Sequence, residues 1–460
     1  MIRFLGKKVA ILGLSVEGVD SVQFFVREGA RVVCADRRTA ADLGEIYEML
    51  RRYPVTFQLG VGYLEGLDDF DIIVRTPGMS LHLPQLVALQ NQGKEITSLT
   101  KLFFDLCEAP IIGVTGTKGK GTTSSLIYEM LQAAKRTVYL GGNVGTSLLS
   151  IVRKIHPADT VVLELSSFQT EDLRKSPHIA IVLRTTQEHL ANFDPLATNF
   201  HVSRQAYIEA KKPIVRFQTS RDYAILNADD PTSSSFAKET TAQVYYFSRH
   251  DRHAHAYVDS GSVFLKRNDK TEQICHADEI ILRGEHNLEN IAAAALAATL
   301  AGVDIASIRQ VAREFRGLPH RLEFVRQVHG VDYYDDSFST VPETTIAAVR
   351  SFREPIILIA GGSEKGSDFT QMGSVISESS VKAVIVIGAM TGRIVKTLEQ
   401  AHFGGKIITG CHSAHEVVQK TAEISKSGDV VLLSPACASF DMFPNYKERG
   451  KQFAYEVSLL

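Results

Sequence analysis

The sequence lacks any CxxC pair. Its five cysteines, Cys34, Cys107, Cys275, Cys411 and Cys437, are dispersed over 460 residues. That spacing argues against a zinc site or a disulfide framework and for free thiols in a reducing compartment. No apolar run reaches the roughly eighteen residues of a membrane-spanning helix. Neither sign of charge is in excess. The formal net charge is −2, with lysines and arginines scattered, so no overall field favours nucleic acid or an anionic membrane. Low-complexity segments and internal repeats are absent. The opening stretch MIRFLGKKVAILGL starts like a secretory signal, yet it has no small-residue cleavage site and reads as a first strand. A cytoplasmic protein is expected, with neither nucleic acid nor membrane as partner. The apolar and charged fractions, 44% and 22%, are those of an ordinary globular chain, and the length suggests about three domains.

What is present centres on Gly113–Thr123, GVTGTKGKGTT. An apolar run precedes it and a segment with helical apolar spacing (Leu126, Met130, Leu131) follows it. A glycine-rich turn between strand and helix aims backbone N–H groups and a helix N-terminus at one point, which suits phosphate oxygens. Lys120 would add a point charge on the terminal phosphates. The match to the common phosphate loop is imperfect. Val114 stands where the first glycine belongs, and Gly121 stands where Ser or Thr belongs. A magnesium hydroxyl would then fall to Thr122 or Thr123.

The chain divides into three α/β blocks. From Lys7 to Cys107 the pattern reads as a Rossmann-like unit. KVAILGL is a strand, Gly13 and Gly18 flank the turn after it, VDSVQFFVREG is a helix, and RVVCAD is a strand ending in Asp36. The spacing GLSVEG is not G-x-G-x-x-G, so nothing here specifies a dinucleotide. DIIVRTPG adds another strand and turn. The second block carries the phosphate loop, then TVYLGGNVG with Asn143, TVVLELSSFQ with Glu164–Gln169, and IAIVLRTTQEHL with Glu188 and His189. Ligands of open parallel sheets bind beyond the carboxyl ends of the strands, where Lys120, Asn143, Glu164 and His189 converge. The alanine-rich run GEHNLENIAAAALAATLAG is helical, with Asn287 suited to its N-cap. A third block contains VDYYDDS, PIILIAGGSEKG, AVIVIGA, KIITG and DVVLLSPACASFD, each a parallel-strand candidate. The expected architecture is three consecutive domains: 1–108 Rossmann-like, 109–315 central and P-loop ATPase-like, and 316–460 Rossmann-like.

These motifs resemble the Mur ligases over nearly the whole chain. TGTKGKGTT is similar to the family's TGTNGK loop, which folylpolyglutamate synthetases share. ELSSFQ, GGNVG, EH at Glu188–His189, NADD at Asn227–Asp230, GLPHRLE at Gly317–Glu323 and SPACASFDMF at Ser434–Phe443 occur in the order found in the glutamate-adding branch. The resemblance implies an ATP- and Mg2+-dependent amide ligase in peptidoglycan precursor synthesis. ATP would phosphorylate the carboxylate of UDP-N-acetylmuramoyl-L-alanine, and the amine of D-glutamate would attack the acyl phosphate. Substrates split between three domains would require hinge closure, and a monomer is expected.

Roles follow from the resemblance. Gly116, Thr117, Lys118, Gly119, Lys120, Gly121, Thr122 and Thr123 would bind ATP, with Asn287, Arg321 and Asp336. Thr122, Glu164 and His189 would hold magnesium. Lys211, in YIEAK, resembles a lysine that is carbamylated, with Lys212 as the alternative; Arg204 stays protonated and cannot substitute. Lys120, His189 and Lys211 form the catalytic set. Ser15, Val16, Asp36, Thr76, Pro77, Asn143, Ser166 and Gln169 would bind the UDP-linked substrate, leaving Glu17 as an unexplained anion beside a diphosphate. Thr340, Lys365, Ser439, Phe440 and Tyr446 would bind glutamate. Phe338 replaces a family lysine in Asp336–Thr340, so the glutamate enantiomer stays open. The alternatives are an L-glutamate ligase, a folylpolyglutamate synthetase-like ligase, and a nucleotide-binding protein without activity.

Overall fold

The computed structural model describes residues 3–143, 147–186, 199–267, 270–363 and 367–460. It contains three sheets. The first is built from β1 (Lys8–Leu12), β2 (Arg31–Asp36), β3 (Val55–Leu59), β4 (Ile72–Arg75) and β5 (Glu95–Ser98). Its order is β3-β2-β1-β4-β5, and every pairing is parallel. Burial on both faces explains why KVAIL reads as an unbroken apolar run. Val9 and Ile11 enter one core, and Ala10 and Leu12 enter the other.

The second sheet comprises β6 (Ile111–Thr115), β7 (Val138–Gly142), β8 (Thr160–Glu164), β9 (Ile179–Val182), β10 (Tyr223–Asn227), β11 (Gln243–Ser248), β12 (Ala256–Asp259), β13 (Ser262–Arg267) and β14 (Lys270–His276). Its order is β14-β13-β12-β11-β10-β9-β6-β8-β7. The β7-to-β12 part is parallel, and β13 turns back antiparallel to β12. The third sheet has β15 (Glu323–Val328), β16 (Val331–Asp335), β17 (Ile356–Gly361), β18 (Val381–Ile387), β19 (Lys406–Ile408) and β20 (Val430–Leu433), in the order β15-β16-β20-β17-β18-β19. Only β15 pairs antiparallel there. The expected α/β class and three successive sheets are present.

The chain forms two compact units. One is Met1–Ile274 with Glu289–Val311, and the other is Cys275–Leu288 with Ala312–Leu460. The first two sheets share a unit because one apolar core runs through both. It contains Phe24 and Phe103 beside the first sheet and Leu149, Leu163 and Val182 beside the second. The third sheet has a core on each face, with Ile356, Leu358 and Ala360 on one and Ile357 and Ile359 on the other. Burying a side chain of this size contributes about 1.5–3 kcal/mol.

Two local expectations need correction. The stretch from Ser15 to Gly18 is not an open turn. A helix spans Val16–Arg27 with Ser15 as its N-cap, and Gly18 lies inside its first turn. Glycine is required there because a Cβ would sit 2.0 Å from the carbonyl oxygen of Gly13. Asn287 is not an N-cap either. The helix spans His286–Leu300, and Asn287 is its second residue, donating from Nδ2 to the carbonyl of Arg283 at 2.6 Å.

Candidate active site

The phosphate-loop segment is strand, turn and helix, as expected: β6 ends at Thr115 and a helix spans Lys120–Ala133. Gly119 caps that helix at φ +86°, and a Cβ on it would lie 2.4 Å from Asn290 Oδ1. The first N–H groups of such a helix have no intrahelical acceptor. Lys120 donates from Nζ to the carbonyls of Gly116 and Thr117, at 3.1 and 2.8 Å, so its ammonium lies over the loop. Thr117 anchors the loop to the segment after β9. Its N–H reaches the Arg184 carbonyl at 2.9 Å, its hydroxyl donates to the Thr186 carbonyl at 3.0 Å, and Tyr207 OH lies 3.0 Å away. Thr123 donates to Asn290 Oδ1 at 3.3 Å, whereas Lys118 is exposed and Gly121 and Thr122 lie in the first helical turn. Asn290 is a supporting residue that the sequence reading missed. Its signal was the polar group Asn287, Glu289, Asn290 opening an otherwise apolar helix.

Lys211 is brought to this loop. It is 1% exposed at the end of the helix Arg204–Lys211, with Nζ 3.2 Å from the Gly116 carbonyl and 3.3 Å from Thr115 Oγ1. The ammonium also lies 4.5 Å from the centre of the Tyr207 ring. Lys212 points elsewhere. It pairs with Glu209 and Glu239 at 2.5 and 2.9 Å, and the Glu209 hydrogen bond holds its pKa above the ordinary lysine value. Arg204 binds Thr232 Oγ1 at 3.1 Å. Glu164 is buried at the end of β8, in register with Val114 of β6. Glu188 and His189 lie outside the described residues.

In the NADD segment, Asp230 Oδ2 accepts from the Thr185 N–H at 2.6 Å and so steadies the loop after β9. Asn227 donates to Glu289, whose carboxyl is pushed up by burial.

In the first sheet, Ser15 and Val16 are exposed at the helix N-terminus. Asp36 is buried and fully engaged. Oδ2 accepts from the Leu14 N–H at 2.7 Å and Arg38 Nη2 at 2.8 Å, while Oδ1 accepts from Arg38 N and Nε at 2.9 and 3.0 Å. Burial raises its pKa, but these hydrogen bonds outweigh that and hold it below the ordinary value. Thr76 donates to the Leu12 carbonyl at 3.1 Å, and the Pro77 carbonyl accepts from Asn199 at 2.8 Å. Asn143, exposed after β7, donates its N–H to the Glu164 carbonyl at 3.1 Å.

Ser166 and Gln169 form a capping box on the short helix Ser167–Thr170. Gln169 then reaches Glu17 Oε1 from Nε2 at 2.7 Å. Behind this contact lies Arg75, fully buried, with Nη2 2.9 Å from Glu171 Oε1 and 3.5 Å from Asp172 Oδ2. The Glu171 contact is close but not aligned as a hydrogen bond, and Arg75 Nε has no hydrogen-bond partner. Arg75 is aligned instead to the carbonyls of Met79 and Phe168 at 3.1 and 2.9 Å. Burial pushes Glu17 up to about 7 against the pull of Gln169 and Arg75, and it pushes Glu171 up to about 7 against Arg75.

In the other unit, Asp336 follows β16 and is buried. It accepts from Ser434 Oγ at 2.7 Å, the Leu322 N–H at 3.2 Å and Ser339 Oγ. Burial pushes its carboxyl up to about 7, although the Ser339 and Ser434 hydrogen bonds oppose the shift. Arg449, which the sequence reading also missed, is buried and ties two loops together. It donates to Ser337 Oγ at 2.8 Å and to the carbonyls of Ser337 and Cys437 at 2.9 and 3.1 Å. Those loops carry Thr340 on one side and Ser439 on the other. Ser439 is buried and Phe440 exposed, and Ser363 donates its N–H to the Ala438 carbonyl at 2.9 Å. Lys365 lies outside the described residues. Among the described residues, one acid and histidine group has ligand atoms within 4.8 Å of each other: His320, Glu323 and Asp335. Internal hydrogen bonds account for it, with His320 Nδ1 at 2.7 Å from Asp335 and the His320 N–H donating to Glu323 at 2.8 Å. No helix among the described residues is long and apolar enough to cross a membrane.

Three domain families match successive parts of the chain. They are the Mur ligase MurD-like N-terminal domain over residues 7–98, the Mur ligase middle domain over 114–298, and the Mur ligase glutamate ligase domain over 320–437. The UDP-N-acetylmuramoylalanine–D-glutamate ligase of Symbiobacterium thermophilum is 41% identical over 460 residues, covering 99% of each chain. The enzyme of the same name from Acetivibrio thermocellus is 40% identical over 453 residues, covering 97% of this chain and 95% of its own. Among solved structures, the UDP-N-acetylmuramate–alanine ligase MurC of Thermotoga maritima matches with TM-score 0.60 at 17% identity, covering 98% of this chain and 99% of its own. MurF ligase of Thermotoga maritima in complex with ADP matches with TM-score 0.55 at 18% identity, covering 99% and 96%. These two likenesses concern the fold.

Proposed function

The chain belongs to the Mur ligase family of enzymes, and we propose that it joins D-glutamate to UDP-N-acetylmuramoyl-L-alanine at the expense of ATP. The observation that carries this reading is the convergence of Lys120 and Lys211 on the carbonyl of Gly116, at the phosphate loop. A loop with two lysines and a helix N-terminus is suited to a polyphosphate. Transfer of the γ-phosphoryl group needs little covalent chemistry from the protein, so positioning and electrostatics do most of the work. Lys120 would neutralise charge building on the transferred group.

The oxygen donors Thr122 and Glu164 fit a hard cation such as magnesium, with His189 as a third candidate. A bound magnesium ion would offset charge on the phosphate oxygens. Lys211 is the candidate for carbamylation. Its neutral amine would attack carbon dioxide, forming an N–C bond and releasing a proton, and a cation beside the loop would become an anion. Asn287, Arg321 and Asp336 would contribute to ATP binding from their own unit. Thr340, Ser439, Phe440 and Tyr446, with Lys365, would bind glutamate. Ser15, Val16, Thr76, Pro77, Asn143, Ser166 and Gln169 would hold the UDP-linked substrate. Asp36 would join them only if Arg38 releases a lone pair, because all its acceptor sites are in use. The carboxylate of that substrate attacks the γ-phosphorus, ADP leaves, and the amine of D-glutamate displaces phosphate from the acyl phosphate. We assign this chemistry to a cytoplasmic monomer.

Phosphate release by the purified protein tests the reading. Turnover is expected with ATP, UDP-N-acetylmuramoyl-L-alanine and D-glutamate. Equal or greater turnover on L-glutamate, or turnover with a folate acceptor alone, would overturn the substrate assignment. ATP binding with no release for any acceptor would overturn the enzyme assignment.

A further inference from the structure

Arg321 and Phe338 face each other in the second compact unit. The guanidinium carbon lies 3.9 Å from the centre of the Phe338 ring, and the ring meets Tyr446 edge-on at 5.1 Å and 89°. The backbone holds these residues in place. The Phe338 N–H donates to the His320 carbonyl at 2.9 Å, the Arg321 N–H to Leu318 at 3.0 Å, and Ser337 Oγ to the Tyr446 carbonyl at 2.8 Å. Phe338 is 38% exposed and Arg321 is also exposed. A large apolar ring kept at the surface therefore has a planar cation across one face and an aromatic edge against it.

We infer that Phe338, braced by Tyr446, is a positioning residue that presents the Arg321 guanidinium to an anionic group of the nucleotide substrate. This rests on the proposed role of Arg321 in ATP binding. A guanidinium stacked on an aromatic face keeps its edge N–H groups directed outward, where they can grip phosphate oxygens in a fork. The stack removes torsional freedom that the exposed arginine would otherwise lose on binding. Phe338 stands where the family carries a lysine, so in this chain the position offers Arg321 a ring face in place of a second ammonium.

The test is a steady-state comparison of Phe338→Leu, Phe338→Tyr and Phe338→Lys with the wild type. It is joined to a measurement of the Arg321 Nε–Hε resonance, assigned by its loss in Arg321→Lys. In the wild type the ring should shift that resonance upfield, and Phe338→Leu should abolish the shift. Phe338→Leu should raise the KM for ATP roughly threefold to thirtyfold, in line with the strength of such contacts. The melting temperature should stay near wild type, and the KM for ATP should rise by more than the KM for glutamate. Phe338→Tyr should retain wild-type KM within about twofold, and Phe338→Lys should not rescue. An unshifted wild-type resonance would overturn the inference whether or not the protein is a ligase. So would an unchanged KM for ATP in Phe338→Leu, or full activity in Phe338→Lys. Absence of wild-type turnover with an intact ring-shifted resonance would instead count against the ligase reading and leave no nucleotide role for the stack.

Discussion

Gln169 donates from Nε2 to Glu17 Oε1 at 2.7 Å, linking the ELSSFQ segment of the second sheet to the first helix of the chain. This contact accounts for the acid beside a proposed diphosphate site. Glu17 turns inward, where burial keeps its carboxyl protonated up to about pH 7. The group at the helix N-terminus is then about half neutral near pH 7, rather than a full anion.

Stability should depend on pH in a direction set by these acids. Glu17 and Glu171 are raised from 4.5 to about 7, with Asp20, Asp172 and Arg75 around them. The folded state therefore holds protons that the unfolded state releases. Their contribution is fully present below about pH 4.5 and is lost as pH rises through about 7, at up to about 1.4 kcal/mol per unit for each group. Urea unfolding at pH 5 and pH 8 should show the decline. Glu17→Gln should flatten it by about 1–3 kcal/mol, and an unchanged slope would show that Glu17 is not buried as described.

Arg75 should be the most sensitive charge of that junction. It is fully buried against Glu171 and Asp172. Arg75→Met keeps the bulk but leaves the acids uncompensated, which should cost about 3–5 kcal/mol. The loss should be smaller at pH 5, where Glu171 is protonated. Equal losses at pH 5 and pH 8 would exclude the charge explanation.

Lys120→Ala should lower phosphate release by about a thousandfold or more, the scale of losing a cation on a transferring phosphoryl group. The melting temperature should move little, because the lysine is half-buried at the surface of the loop. Loss of activity together with a large fall in melting temperature would instead give the lysine a structural role in holding the Gly116 and Thr117 carbonyls.

Much of this was legible beforehand because buried parallel strands write themselves as apolar runs. RVVCAD is a strand over its expected span, while the strand read in KVAILGL stops two residues early at Leu12 and the one read in PIILIAGGSEKG covers Ile356–Gly361. The strands β11 to β15 were not read. QVYYFS and KTEQICH are half-exposed and mix charges with aromatics, so their periodicity is blurred. The phosphate loop was readable because glycine, lysine and a helix start must be contiguous. Arg75, Arg449 and Asn290 were not, since a buried polar residue is defined by partners distant in sequence. Thr123 and Asn290 meet across a separation of 167 residues, and Arg449 reaches Ser337 across 112.

The most direct measurement follows an oxygen atom. UDP-N-acetylmuramoyl-L-alanine labelled with 18O in its terminal carboxylate would be turned over with ATP, D-glutamate and the purified protein. An acyl phosphate requires one labelled oxygen to leave with the phosphate, so one 18O should appear in each phosphate released and the amide product should keep one. Phosphate free of label, at the same rate of release, would contradict carboxylate activation and with it the proposed ligase chemistry.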